Sequence, residues 1–277
     1  MPELPEVERA RRLAARVGTG KRIVAVWCAK DPIVVQDTTP AQMRRALLDR
    51  EITGTGRRGK YFWLELDRRP WPLFHLGMTG DLRSRDEAPI QLESGPRAPE
   101  TGWPPRFTKL RLELDDGAEL AFTNKRRLGR LRLRKNPVTT PPISQLGFDP
   151  LIDLPAPGKF ADLVSSRSAV MKSVLLDQSF AAGVGNWIAD EVLFQARLDP
   201  RRRANTLTRS EIGILRNALK RVVTKAVAVD ADKTRFPRTW LFHQRWGKPS
   251  DARIGGEPIE FLTLGGRTTA WVPTRQR

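Results

Sequence analysis

The first residues of the chain could form a covalent bond with a substrate. Pro2 follows Met1, and a small second residue allows the methionine to be removed, which leaves a secondary amine. An α-amino group titrates at about 7.7–8.0, so part of it is unprotonated at neutral pH. Such an amine can attack an electrophilic carbon and form an iminium, with Glu3 moving a proton beside it. The simpler interpretation is an ordinary terminus whose acid caps the next helix.

A glycine-rich turn could bind an anion. Gly183 and Gly185 allow the backbone to approach a ligand, and a helix that starts after them presents free N–H groups to it. A helix ending near Phe180 and another starting at Trp187, with Asn186 as its N-cap, predict a helix–two-turn–helix. The same residues also fit a plain glycine C-cap followed by an N-cap.

Several other residues have both a functional and a simpler interpretation. Lys60, at the start of a predicted strand, and Arg267, on a Gly-Gly tip, could bind phosphates. The simpler interpretation of Lys60 is a solvated lysine at a sheet edge, and Arg267 could equally be a free surface arginine. His75 is most simply structural or a phosphate contact. The basic run 125–130 contains one apolar residue, as an element that wedges into duplex DNA would, but it also fits a solvated turn. Met78 is most simply a packing residue.

Composition narrows the function classes. Lys and Arg number 49 against 31 Asp and Glu, which gives a net charge of +18, and nucleic acid is the commonest partner of so basic a surface. Cys28 is the only cysteine and the histidines number two, which excludes an intramolecular disulfide and a zinc site of four cysteines or of two cysteines and two histidines. Neither a signal peptide nor an apolar run of about 18 residues occurs. We expect an intracellular, zinc-free protein.

The elements that would position these residues follow from periodicity. Apolar residues at helical spacing predict a helix over 5–17. The five prolines from Pro89 to Pro105 predict a long exposed loop over 85–106. Alternating segments predict antiparallel strands at 23–27, 61–66, 109–114, 119–123, 128–135, 257–262 and 268–272. The predicted organisation is a sheet domain (1–135), a proline-rich linker (136–157), a helical domain (158–235) and a terminal β-hairpin (236–277).

Six segments together resemble one family. They are PELPEVE (2–8), GRRGKYFWLEL (56–66), FHLGMTG (74–80), KRRLGR (125–130), LLDQSFAAGVGNWIADE (175–191) and GGRTTAW (265–271). Their order and spacing resemble the formamidopyrimidine-DNA glycosylase/endonuclease VIII family, most closely its plant and fungal branch. The resemblance implies an α+β fold: an N-terminal β-sandwich with an N-terminal helix, then a helix–two-turn–helix domain and a zincless β-hairpin finger.

The resemblance also implies a role for each matching residue. Pro2 would be the nucleophile and Glu3 the general acid/base, while Lys60 and Arg267 would bind phosphates around the damaged nucleotide. Asn186 and Gly185 in the turn, together with His75, would contact DNA. Three residues would fill the space left by an extruded base: Met78, Arg126 and Leu128. Four residues occupy the zinc-ligand positions and cannot bind zinc: Ala252, Gly255, Val272 and Arg275. The hairpin would instead be held by Ile259, Phe261, Trp271 and Val272.

The implied activity is that of a bifunctional DNA glycosylase/AP lyase without a cofactor or metal. It would act as a monomer on double-stranded DNA with oxidised bases or AP sites, in the nucleus of a eukaryote or otherwise in the cytoplasm or nucleoid. Segment 228–243 is too short for the loop that closes over 8-oxoguanine in bacterial relatives, so formamidopyrimidines and hydantoins would be better substrates. Leu128 lies where the bacterial enzymes of the family commonly have a phenylalanine, so stacking against the neighbouring base would be weaker. The alternatives are a non-catalytic damaged-DNA-binding protein and a ribosomal-type RNA-binding protein.

Overall fold

The computed structural model describes residues 2–86 and 102–277. The predicted loop over 85–106 therefore lies mostly outside the described residues. Within the described part of the chain, no helix is both long and apolar enough to span a membrane.

The described residues form two units, each with its own internal contacts. The first unit ends at Gln145 and also includes Asp230–Lys233. The second unit consists of Leu146–Val229 and Thr234–Arg277. The boundary at Gln145 falls within the proline-rich stretch 136–157.

Within the described residues, the first unit contains two α-helices, eight strands and a 3₁₀ turn at Ile143–Gln145. The helices and strands are α1 (Leu4–Gly18), β1 (Ile23–Cys28), α2 (Pro40–Leu47), β2 (Ile52–Arg58), β3 (Tyr61–Leu66), β4 (Trp71–His75), β5 (Gly80–Ser84), β6 (Thr108–Leu114), β7 (Glu119–Asn124) and β8 (Arg130–Arg134). The strands form two four-stranded antiparallel sheets, in the orders β1-β6-β7-β5 and β2-β3-β4-β8.

The two sheets share one hydrophobic core, as in a β-sandwich. Phe62 and Phe74 of one sheet stack with ring centroids 4.7 Å apart, and Phe74 meets Phe122 of the other sheet edge-on at 5.5 Å. Helix α1 adds its buried apolar face, including Val7 and Leu13. The predicted sandwich with an N-terminal helix is confirmed.

Four elements of this unit were not predicted: three strands with a weak pattern, and helix α2, although Thr39 and Gln42 form a capping box with Pro40 at its start. Strand β2 has the sequence ITGTGRR, in which two glycines interrupt the alternation of apolar and polar residues. Strand β5 contains only one large apolar residue, Leu82. Strand β4 and helix α2 are short and were likewise not predicted. Pairing with stronger neighbours stabilises such segments, because strand propensity depends on context.

The second unit is helical and ends in short strands. Its elements are α3 (Pro157–Ser165), α4 (Met171–Leu176), α5 (Asn186–Ala196), α6 (Arg209–Ala228), β9 (Arg253–Ile254), β10 (Glu257–Pro258), β11 (Glu260–Leu264) and β12 (Arg267–Trp271). The helix predicted to end near Phe180 ends at Leu176. The strand predicted over 257–262 is divided, since residues 257–258 pair with β9 and only residues 260–264 pair with β12.

A small apolar cluster supports the terminal hairpin. It contains Ile259 and Val272, with Phe261 packed against it, as predicted. Trp271 is buried but lies outside this cluster, and the guanidinium of Arg201 lies 4.4 Å from its ring centroid. Leu241 and Phe194 complete the cluster from the helical part of the unit.

Candidate functional site

The N-terminal residues are fixed by the start of helix α1. Pro2 and Glu3 are both buried, and Glu3 is the N-cap residue. The carboxylate of Glu6 accepts the backbone N–H of Glu3 at 2.9 Å, while Glu3 accepts the N–H of Glu6, so the two acids form a capping box. Pro5 in the first turn suits the helix start. The start of α1 is therefore held by a capping box, with the carboxyl groups of Glu3 and Glu6 close to Pro2 in sequence.

Glu6 is the carboxyl group that sequence reasoning missed. Burial, followed by the negative charge of Glu3, raises the pKa of Glu6 from 4.5 to about 7. A carboxyl group with such a pKa exchanges protons near neutral pH, which is what acid–base chemistry requires. The sequence signal is the Glu-x-x-Glu spacing of the capping box.

Helix α1 is also tied to the turn that carries Lys60. The carboxylate of Glu8 accepts from Arg57 Nε at 3.0 Å, and both side chains are buried. Arg57 Nη1 in turn donates to the Gly59 carbonyl at 3.1 Å. Gly59 has a φ of +57° and Lys60 follows it, so Lys60 lies in the β2–β3 turn instead of starting a strand. The Glu8–Arg57 pair thus fixes the base of the Lys60 turn.

His75 lies at the end of β4 among basic residues. Burial, followed by the positive charges of Lys60, Arg132 and Arg130, lowers the pKa of His75 to about 4. Its Nδ1 accepts the Gly77 N–H at 3.2 Å. His75 is therefore neutral at pH 7 and can offer only its Nε2–H to an anion.

Two turns bring the three predicted void-filling residues close to one another. Met78 lies in the turn between β4 and β5, and Arg126 and Leu128 lie in the turn between β7 and β8. The buried side chain of Asn124 joins the turns, because its Nδ2 donates to the Leu76 carbonyl at 2.9 Å and its Oδ1 accepts the Gly129 N–H at 3.0 Å. Arg126 is exposed and Leu128 is 41% exposed.

The turn that carries Arg126 and Leu128 is held by an ion pair. Arg127 lies between them with a φ of +55°, and its side chain makes a two-pronged contact with Asp31, with Nε–Oδ2 at 3.0 Å and Nη2–Oδ1 at 2.9 Å. Lys109 Nζ donates to the same carboxylate at 2.8 Å. Arg127 therefore anchors the turn to Asp31 through its guanidinium, although its side chain, like those of its neighbours, is exposed.

In the second unit the structure brings Asn186 and the Arg267 strand together. Gly185, not Asn186, is the N-cap of α5, so the predicted cap is wrong by one residue. The Asn186 side chain instead donates to the Thr268 carbonyl at 2.8 Å, and Thr268 follows Arg267 in β12. This contact uses one N–H of the Asn186 amide. Arg267 is exposed beside the turn formed by Gly265 and Gly266, whose φ values are +55° and +69°.

A buried ionic cluster lies behind these residues. Asp190 contacts Lys172 and accepts from Arg245 Nη2 at 2.6 Å. Next to it, burial raises the pKa of Glu191 to about 7, although that carboxyl group accepts the Phe242 N–H at 2.9 Å. Sequence reasoning assigned no role to this cluster. Its signal is a pair of adjacent acids in a helix whose other residues are mostly apolar.

Comparison with known families covers nearly the whole chain. Residues 1–131 match the formamidopyrimidine-DNA glycosylase N-terminal domain, residues 146–238 match the formamidopyrimidine-DNA glycosylase H2TH domain, and residues 240–273 match the formamidopyrimidine-DNA glycosylase-like C-terminal domain. All three matches belong to one family and occur in its order.

Individual proteins give the same result. A formamidopyrimidine-DNA glycosylase of Arabidopsis thaliana is 42% identical over 277 residues, which cover 100% of this chain and 71% of that protein. One from Acidiphilium cryptum is 33% identical over 293 residues and matches along the full length of both chains. Among solved structures, Lactococcus lactis formamidopyrimidine-DNA glycosylase bound to DNA with an AP site has a TM-score of 0.82 at 25% identity, covering 99% of both chains.

Proposed function

The chain belongs to the formamidopyrimidine-DNA glycosylase family, and we propose that it is a bifunctional glycosylase/AP lyase that uses Pro2 as its nucleophile. As a member of this family it is a DNA glycosylase of base excision repair. The observation that carries the lyase proposal is the N-terminus itself. Pro2 is buried at the start of α1, next to Glu3 and to Glu6 with its raised pKa.

The proposed reaction starts once the damaged nucleotide is outside the helix stack, since C1′ is inaccessible within a duplex. The Pro2 nitrogen forms a bond to C1′ as the bond from C1′ to the base breaks, and the base leaves with that electron pair and with the proton released by Pro2. Glu3 then protonates the ring oxygen, so the bond from C1′ to that oxygen breaks and the iminium forms between C1′ and the Pro2 nitrogen. The resulting iminium is cationic because Pro2 is a secondary amine. It acidifies the C2′ hydrogen, so loss of that proton expels the 3′ phosphate. A second elimination expels the 5′ phosphate and leaves a one-nucleotide gap.

Charged and apolar side chains would support this reaction. Lys60 in the first unit and Arg267 and Asn186 in the second would bind phosphates flanking the lesion. Met78, Arg126 and Leu128 would fill the space left by the extruded base, which offsets an unstacking cost of roughly a few kcal/mol. His75, being neutral, would contribute a hydrogen bond and no charge. No metal or cofactor takes part in this proposal, and one molecule suffices.

Formamidopyrimidines and hydantoins are the proposed substrates, with 8-oxoguanine a weak one. The support is segment 228–243, which follows α6 and contains only two short turns of 3₁₀ helix, Lys233–Arg235 and Leu241–His243. Among similar solved structures, a mutant of Lactococcus lactis formamidopyrimidine-DNA glycosylase is bound to DNA containing Fapy-dG, and MutM is bound to DNA containing carbocyclic 8-oxo-G.

Borohydride trapping tests the proposal. An oligonucleotide duplex with one AP site is mixed with the protein and reduced, and we expect a covalent protein–DNA adduct that is lost in Pro2→Thr. Pro2→Thr should bind DNA about as tightly as the original protein does. This retained binding is the control that shows the variant to be folded. Tight binding without an adduct, by protein whose mass shows that Met1 is removed, would favour the non-catalytic damaged-DNA-binding protein.

A further inference from the structure

Helix α5 holds one side of strand β12 at two points. Asn186 Nδ2 donates to the Thr268 carbonyl at 2.8 Å, and the Ala270 N–H donates to Asp190 Oδ2 at 3.2 Å. Residues 186 and 190 are four apart and therefore lie on one face of the helix. Residues 268 and 270 are two apart, so their backbone groups point to the same side of the strand. One helix face thus fixes the strand that begins with Arg267.

Two buried cations fix the Asp190 carboxylate. Arg245 donates two hydrogen bonds to Asp190 Oδ2, from Nε at 3.1 Å and from Nη2 at 2.6 Å. The same oxygen also accepts the Ala270 N–H. Lys172 contacts the other oxygen, and its Nζ also donates to the Asn186 carbonyl at 3.0 Å. Asp190 and Lys172 are fully buried and Arg245 is 6% exposed. A buried charge without a partner costs much free energy. The arrangement in which Asp190 is paired with Arg245 and Lys172 is therefore strongly favoured.

We propose that Asp190, held by Arg245 and Lys172, is the positioning residue for the phosphate-binding pair Asn186 and Arg267. Asp190 itself touches no DNA in this proposal. It sets the position of β12 relative to the start of α5, and the cluster reaches Asn186 through Lys172. The proposal rests on the proposed function, since it assumes that both residues of the pair bind phosphates.

Arg245→Met is the variant that tests this role. The methionine fills a similar volume but cannot make the two-pronged contact with Asp190 Oδ2. The positive charge of Lys172 then balances the negative charge of Asp190. The measured quantity is the Kd for a duplex with a tetrahydrofuran site, an uncleavable abasic analogue. Because a charge-assisted phosphate contact is misplaced, we expect binding weaker by about tenfold. The matched control is Arg216→Met, whose Nε donates to the Pro155 carbonyl at 2.7 Å, and we expect less than about a twofold change.

A double-mutant cycle separates positioning from general loss of structure. In an Arg267→Ala background, Arg245→Met should weaken binding by at most about threefold, because the group that it positions is already gone. In a Lys60→Ala background the cost should remain about tenfold, since Lys60 lies in the other unit. Equal costs in both backgrounds would overturn the proposal.

The cycle stays informative if Arg245→Met does not fold. Arg245→Lys retains the charge but loses the two-pronged contact, and it can be taken through the same backgrounds. Borohydride trapping with the unsubstituted protein distinguishes the two proposals. An adduct combined with equal costs refutes only the positioning role of Asp190, whereas failure to form an adduct refutes the proposed lyase.

Discussion

Glu3 and Glu6 show what residue types reveal and what they conceal. The sequence identifies Pro2 and Glu3 as a possible nucleophile and acid, because an N-terminal secondary amine and a neighbouring carboxyl group are recognisable by type and position. It does not identify Glu6, whose raised pKa arises from burial and from the charge of Glu3. Likewise, the sequence does not predict that His75 is neutral, since its basic neighbours come from the β2–β3 turn and from strand β8.

Glu6→Gln should remove a pH dependence of stability. The folded-state pKa of Glu6 is raised from 4.5 to about 7, so the folded protein binds more protons than the unfolded chain between these pH values. Its contribution to the free energy of unfolding is therefore full below about pH 4.5 and falls as the pH rises to about 7.

Thermal unfolding at pH 5 and pH 8 measures this effect. The Tm of Glu6→Gln minus the Tm of the original protein should be larger at pH 8 than at pH 5. Glu113→Gln, on β6, is the control. A Tm difference that is the same at both pH values would show that Glu6 does not titrate in this range.

Turns carry the candidate site, and elements with strong periodicity support them. Helix α1 and five strands of the sandwich were predicted to within about two residues, because each has a clear apolar face. Strands β2, β4 and β5 were not predicted, although the turns that follow β2 and β4 carry Lys60 and Met78. The contact that joins these turns, from Asn124 Nδ2 to the Leu76 carbonyl, links residues distant in sequence and follows no local pattern.

Asn124→Ala should destabilise the two turns that carry Met78, Arg126 and Leu128. The substitution leaves the Leu76 carbonyl and the Gly129 N–H without their partner, and we expect a loss of about 2–4 kcal/mol in the free energy of unfolding. Denaturant unfolding measures this loss. Asn136→Ala is the control, because the Asn136 side chain accepts nearby N–H groups such as that of Val138 at 3.1 Å, and it should cost about 0.5 kcal/mol. A similar cost for both variants would contradict a special role for Asn124.

At the scale of the whole molecule, charge is the property that the sequence gives most directly. The net charge of +18 predicts an anionic partner without any structure. It does not indicate which cations contact that partner and which are internal. Arg57 and Arg245 are buried in ion pairs, whereas Arg126 and Arg267 are exposed, and only the fold separates these two groups.

The affinity for duplex DNA should therefore depend steeply on salt. If about six phosphates are contacted, the association constant should fall by roughly three decades between 50 and 200 mM salt, because bound counterions are released. Titrations of a tetrahydrofuran duplex at several salt concentrations give the slope. Lys60→Ala should reduce that slope by about one. A nearly flat response would contradict a phosphate-dominated interface.

The contact of α5 with β12 has a consequence for association between molecules. A two-stranded sheet has unpaired backbone groups on its outer sides, and such groups are templates for pairing with a strand of another chain. The Thr268 carbonyl and the Ala270 N–H are already bonded to Asn186 and Asp190. These two groups are thereby unavailable for intermolecular strand pairing, so the helix that orders the hairpin also blocks strand addition at this part of β12.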